Sequence, residues 1–65
     1  MNITINGTKH AVEAKNLSDL LIELEYADQV VATALNKAFV RAVDRAATPI
    51  SEGDEIEILT PRQGG

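Results

Sequence analysis

Four leucines, Leu17, Leu20, Leu21 and Leu24, recur at i, i+3, i+4 and i+7 between two segments that alternate apolar and polar residues. At helical periodicity this spacing puts all four on one face of a short helix and leaves Asp19, Glu23 and Glu25 outside it. A lone helix with one apolar face needs an apolar surface to lie on. In 65 residues with no cysteine and one histidine, disulfide and zinc staples are excluded, so a well-patterned sheet must supply that surface.

The flanking segments read as that sheet. Met1, Ile3 and Ile5 alternate with Asn2, Thr4 and Asn6, and Asn6-Gly7 supplies the positive φ angles of a tight hairpin turn into a second strand from about Thr8 to Glu13. Asn16 is the expected helix N-cap, with Asp19 three residues on to answer its backbone and complement the helix dipole. Val30 to Leu35 is continuously small or apolar, the pattern of a strand covered on both sides; either Val31, Thr33 and Leu35 or Ala32 and Ala34 could face the helix. Asn36-Lys37-Ala38 reads as a turn into a short strand, Phe39-Val40-Arg41, followed by an irregular stretch to Pro49. Ser51-Glu52-Gly53-Asp54 is a turn by composition, and Glu55-Ile56-Glu57-Ile58 alternates as a final strand. Pro61 has no ladder donor, so pairing should lapse there and release Arg62-Gln63-Gly64-Gly65 as a mobile tail.

Hairpin, helix, strand, short strand and final strand together describe an α+β chain with the β-grasp, or ubiquitin-like, arrangement. The expectation is a mixed four- to five-stranded sheet with one helix packed across one face, residues 1–61 forming the domain and 62–65 the tail. The first and last strands should lie side by side at the centre, joined by a right-handed crossover through the helix. The other sheet face stays without a helix, so apolar residues there become candidates for docking.

Charge and composition narrow the function. Ten acidic and six basic residues give a formal net charge of −4, which disfavours a phosphate-binding surface, and one Tyr and one Phe offer few stacking platforms. A protein partner is expected, not nucleic acid. Met1-Asn2-Ile3-Thr4 does not open a secretory leader, and no apolar run reaches the roughly 20 residues of a membrane span, so the expected setting is the reducing cytoplasm. Glu55 and Glu57 share a strand face but read as an exposed acidic surface, and His10, on an edge strand, as a surface residue. No metal site and no catalytic residue is expected. Phe39, Glu57 and Leu59 are the candidates for partner docking.

The closing Gly64-Gly65 is the remaining signal. At about 7% average glycine usage, two terminal glycines arise by chance in roughly 0.5% of chains. Glycine lacks a Cβ and can thread a narrow channel, so the chain end itself becomes a candidate reactive group. Ala32-Thr33-Ala34-Leu35-Asn36, the Val40 that follows, Glu52-Gly53-Asp54-Glu55-Ile56-Glu57-Ile58 and Gly64-Gly65 together resemble the ThiS family of thiamine-biosynthesis sulfur carriers, over nearly the whole chain and including Leu20-Leu21. Val40-Arg41-Ala42 stands where that family usually has Val-Pro-Arg, and Arg45 where a tryptophan is common.

The resemblance implies a protein cosubstrate, not an enzyme, and a monomer when free. Its Gly65 carboxylate would be adenylated by a ThiF-like adenylyltransferase using ATP, with Arg62, Gln63 and Gly64 recognised as the tail. Sulfur from a cysteine-desulfurase relay would convert Gly65 to a thiocarboxylate for a ThiG-like thiazole synthase. No cofactor would stay bound to the carrier, ATP being used by the partner. The alternatives are a MoaD-like sulfur carrier of molybdopterin synthesis and a non-catalytic β-grasp binding or modifier module.

Overall fold

The hairpin at the start of the chain sets the first register. In the computed structural model, which describes residues 1–61, β1 (Asn2–Ile5) pairs antiparallel with β2 (Thr8–Ala11), with Ile3 opposite His10 and Ile5 opposite Thr8. Asn6 and Gly7 join them with φ of 50° and 83°, the left-handed pair that a two-residue turn between right-twisted strands requires. The second strand stops two residues short of the expected Glu13. Beyond Ala11, the pairing of the two strands is carried on by Val12 and the Met1 backbone, at 2.7 and 2.8 Å.

The leucine stripe forms α1 (Leu17–Glu23). Asn16 caps it, its Oδ1 accepting from the Asp19 backbone N–H at 2.8 Å, while its own side-chain amide donates to the Asp19 carboxylate at 3.1 Å. The reciprocal contact therefore reaches the side chain of Asn16, not its backbone as expected. At the other end Tyr26 N–H donates to Leu21 C=O at 2.7 Å and Glu25 N–H to Ile22 C=O at 3.1 Å, a Schellman closure. Glu25 holds the left-handed position of that closure, with φ of 67°. Glu23, outside the leucine face, turns back to accept from the backbone N–H groups of Glu13 and Ala14 and so fixes the link between hairpin and helix.

The run Val30 to Leu35 contributes a shorter strand, β3 (Ala32–Leu35). It is covered on one face only, contrary to its composition: Val31 and Thr33 are buried and Leu35 packs on the core, whereas Val30 is 82% exposed. The face left ambiguous by periodicity is therefore settled in favour of Val31, Thr33 and Leu35. Asn36 and Lys37, with φ of 49° and 73°, turn the chain into β4 (Ala38–Val40), one residue earlier than the sequence pattern implied. The stretch expected to be irregular contains a 3₁₀ helix, Ala42–Ala47, starting with an Arg41–Asp44 ion pair at 2.9 Å and tied to α1 by Leu17 N–H on Thr48 C=O. No apolar period announces it, because none of its residues is buried.

The final strand, β5 (Glu55–Leu59), runs parallel to β1 and antiparallel to β3, giving the order β2-β1-β5-β3-β4. This is the β-grasp arrangement, with a five-stranded mixed sheet and its first and last strands adjacent. Ile3, Ile5, Ile56 and Ile58 form one apolar surface with Leu17, Leu20, Leu21 and Val31, joined by Val12, Ala14 and Ile50, which belong to no period in the sequence.

Leu21, 5% exposed, tests the helix face: Leu21→Ala should cost about 2 to 5 kcal/mol, read from chemical denaturation. The helix end gives the opposite sign. Glu25→Gly should stabilise the fold by about 1 kcal/mol, because a side chain at a left-handed position carries a penalty that glycine lacks. An unchanged or lowered thermal midpoint would contradict the strain assigned to Glu25.

Candidate functional site

Alternation along β5 divides its side chains between the two sheet faces. Ile56 and Ile58 point into the core, while Glu55, Glu57 and Leu59 lie on the face without a helix. The registers place Ala34 between Phe39 and Glu57, and Ala32 beside Leu59. Phe39 and Leu59 are 70% and 65% exposed, so neither belongs to the core. The small side chains of Ala32 and Ala34 lie between them in the sheet and leave the apolar groups standing proud. Phe39, Glu57 and Leu59 thus share one face, with Glu55 continuing it along β5. Lys37 reaches Glu55 only at 3.9 Å and both side chains are well exposed, so the pair adds little energy and leaves the strip open to a partner.

Beside this strip, where the chain leaves β5, Val30, Val31, Ala32, Leu59, Thr60 and Pro61 line a shallow, mostly apolar groove of about 280 Å³. Of its members only Leu59 was expected at a docking surface from sequence. Val30 reads as strand interior in a continuous apolar run, and Pro61 as a strand stop just ahead of Arg62, Gln63, Gly64 and Gly65 in the sequence. Those four positions, and the mobile tail expected there, lie outside the described residues.

Arg45 is a second residue whose role the sequence conceals. Its Nε donates to Thr33 Oγ1 at 3.0 Å and its terminal nitrogen to Val31 C=O at 2.7 Å, while Thr33 Oγ1 donates onward to Val40 C=O at 2.9 Å. Thr33, 2% exposed, is thereby satisfied both as donor and as acceptor. A basic residue in an apparently irregular segment carries no sequence signal for such a contact.

The remaining surface offers little chemistry. A hollow of about 570 Å³ along β1 and β2 is lined by Thr4, Lys9, His10 and Glu52 among others, with Glu52 accepting from Asn2 N–H at 2.9 Å. Among the described residues no cluster of His, Asp and Glu could hold a metal ion, and no helix is long and apolar enough to cross a membrane.

The fold and its exposed, helix-free face define a small ubiquitin-like protein with a mixed apolar and acidic surface along its last strand. Residues 3–65 match the model of the ThiS family. The chain belongs to the ThiS family of small sulfur carrier proteins. It is similar to the crystal structure of a thiamine biosynthesis protein (ThiS) from Geobacter metallireducens, with 32% identity, a TM-score of 0.84 and 100% of both chains covered. The NMR solution structure of a thiamine biosynthesis protein from Geobacter metallireducens gives 32% identity and a TM-score of 0.81, covering 100% of this chain and 88% of that one. Among curated proteins no match was found.

Because Phe39 and Leu59 add nothing to the core, Phe39→Ser and Leu59→Ser should each shift unfolding free energy by no more than about 0.5 kcal/mol. Urea denaturation of each variant checks this, and a larger loss would place the side chain in the folding core.

Proposed function

We propose that this chain is the sulfur carrier for thiazole formation in thiamine biosynthesis, a protein cosubstrate acted on by partner enzymes. Family membership over residues 3–65 is the observation that carries this reading. A carboxylate is a poor electrophile, so its activation requires a leaving group supplied by ATP. In this reading a ThiF-like adenylyltransferase joins the Gly65 carboxylate to AMP and releases pyrophosphate. The outer sulfur of a persulfide on a cysteine-desulfurase relay then displaces AMP to give an acyl disulfide. A thiol of the relay reduces that bond, forming a relay disulfide and releasing the thiocarboxylate that a ThiG-like thiazole synthase consumes. The carrier keeps no cofactor of its own; ATP belongs to the partner's site.

The division of labour follows from the residue types. Gly64 and Gly65 carry no Cβ, so a partner's channel can close around their backbone, with Arg62 and Gln63 supplying the polar contacts ahead of them. Phe39 and Leu59 offer apolar anchors, and Glu57 draws a basic partner surface toward them. A cytoplasmic monomer that docks on one enzyme after another fits a surface left uncovered in the isolated domain.

With the activating enzyme, ATP and a sulfur donor, intact mass should rise by the difference between a sulfur and an oxygen atom. Deleting Gly65 should abolish that rise and leave the thermal midpoint unchanged, since the paired strand ends at Leu59. Wild-type protein that stays unmodified, under conditions that thiocarboxylate an authentic carrier, would replace this reading with that of a binding module. Glu57→Lys should slow association with the activating enzyme in stopped-flow measurements, most strongly at low ionic strength where screening is weakest.

A further inference from the structure

The β3–β4 ladder breaks off before it reaches Val31. Thr33 lies opposite Val40, so continuing the register would place Val31 opposite Ala42 and give Val31 C=O a backbone donor. The chain instead leaves β4 after Val40 and enters the 3₁₀ helix at Ala42. Arg45 takes the place of the missing strand residue: its guanidinium donates to Val31 C=O at 2.7 Å and to Thr33 Oγ1 at 3.0 Å. The first contact falls on the segment that forms one wall of the groove and the second on the residue just past it, while Ala32, between them in sequence, pairs with Leu59 on the opposite wall.

We infer that Arg45 is a positioning residue for recognition by the activating adenylyltransferase, which must take up the chain four residues beyond Pro61: it holds Val31 and Ala32 beside Leu59, so that the groove at the root of the C-terminal segment is formed before that enzyme arrives. This rests on the carrier reading above. A fork of two donors suits the task, because it grips a carbonyl and a hydroxyl of one strand from a single rigid plane. Without it the entry to β3 keeps its pairing to β5 and the buried Val31 side chain, but Val31 C=O loses its donor, and this part of the wall must be ordered at the moment of binding, which weakens association.

The test compares Arg45→Met, which keeps an aliphatic stem without donors, with Gly53→Ala, which strains a turn of positive φ (85°) at the opposite end of β5. Carrier-dependent ATP–pyrophosphate exchange by the activating adenylyltransferase gives KM and kcat for each. Arg45→Met should raise KM for the carrier by about five- to tenfold with kcat unchanged. Its backbone amide shifts should move chiefly at residues 30–33 and 59–60. Gly53→Ala should lower the thermal midpoint with wild-type KM. Arg45→Lys, which keeps the charge but offers a single nitrogen, should give an intermediate KM. Wild-type KM for Arg45→Met, or an equal rise for Gly53→Ala, overturns the inference. Failure of the wild-type protein to support exchange would instead sink the carrier reading, and the amide shifts would still report whether Arg45 shapes the groove.

Discussion

Two asparagine side chains hold the central strand from either side, and the sheet is organised around their grip. Asn6 donates to Ile58 C=O at 3.0 Å and accepts from Ile58 N–H at 2.9 Å, so that its carboxamide acts as an additional peptide unit in the β1–β5 ladder just where the β1 backbone turns away. Across the strand, Asn36 accepts from Glu55 N–H at 2.9 Å and donates to the Asp54 carboxylate at 3.1 Å. Each occupies the first position of a tight turn with positive φ, a conformation asparagine tolerates better than most residues. One residue type thus reverses the chain and sets the register of its neighbour. Since β5 contributes Ile56 and Ile58 inward and Glu57 and Leu59 outward, a slip of one residue would exchange core and recognition surface.

That alternation separates folding from recognition. Burial of the isoleucines against α1 stabilises the domain, and the opposite face is left to vary its charge and apolar content with little effect on the fold. The separation is incomplete at one point. Thr33 faces the core and is buried, yet its hydroxyl is one of the two groups through which Arg45 fixes the groove wall. The polar contact between the 3₁₀ helix and β3 therefore links core packing to surface shape.

Much of this was legible in the chain. The hairpin, the leucine stripe, the Gly53 turn and the alternating final strand each follow from period or turn chemistry that acts locally, and together they define the β-grasp topology. What periodicity could not reach are features created by distant partners. The 3₁₀ helix buries none of its residues, so no apolar pattern marks it, and Arg45 is explained by the Val31 carbonyl and the Thr33 hydroxyl, 14 and 12 positions away. Val30 misled because composition alone does not distinguish an apolar residue inside a strand from one just ahead of it. Phe39 and Leu59 sit on strand positions whose outward direction becomes certain only once β3, β4 and β5 are in register. The chemistry proposed for Gly65 rests on family likeness.

The adjacency of β1 and β5 has a consequence for how the molecule comes into being. Asn2 N–H meets Glu52, and Asn6 meets Ile58, across separations of 50 and 52 positions, so the central pairing joins elements from opposite ends of the fold. During synthesis the hairpin, helix and β3–β4 pair emerge as fragments whose shared neighbour has not yet been made. Each fragment alone has too little apolar surface to persist, and the sheet cannot close until its middle is threaded in last. The element that carries the exposed acidic strip is thus also the one that completes the fold, so a chain interrupted before β5 would present partners with neither a domain nor a docking face.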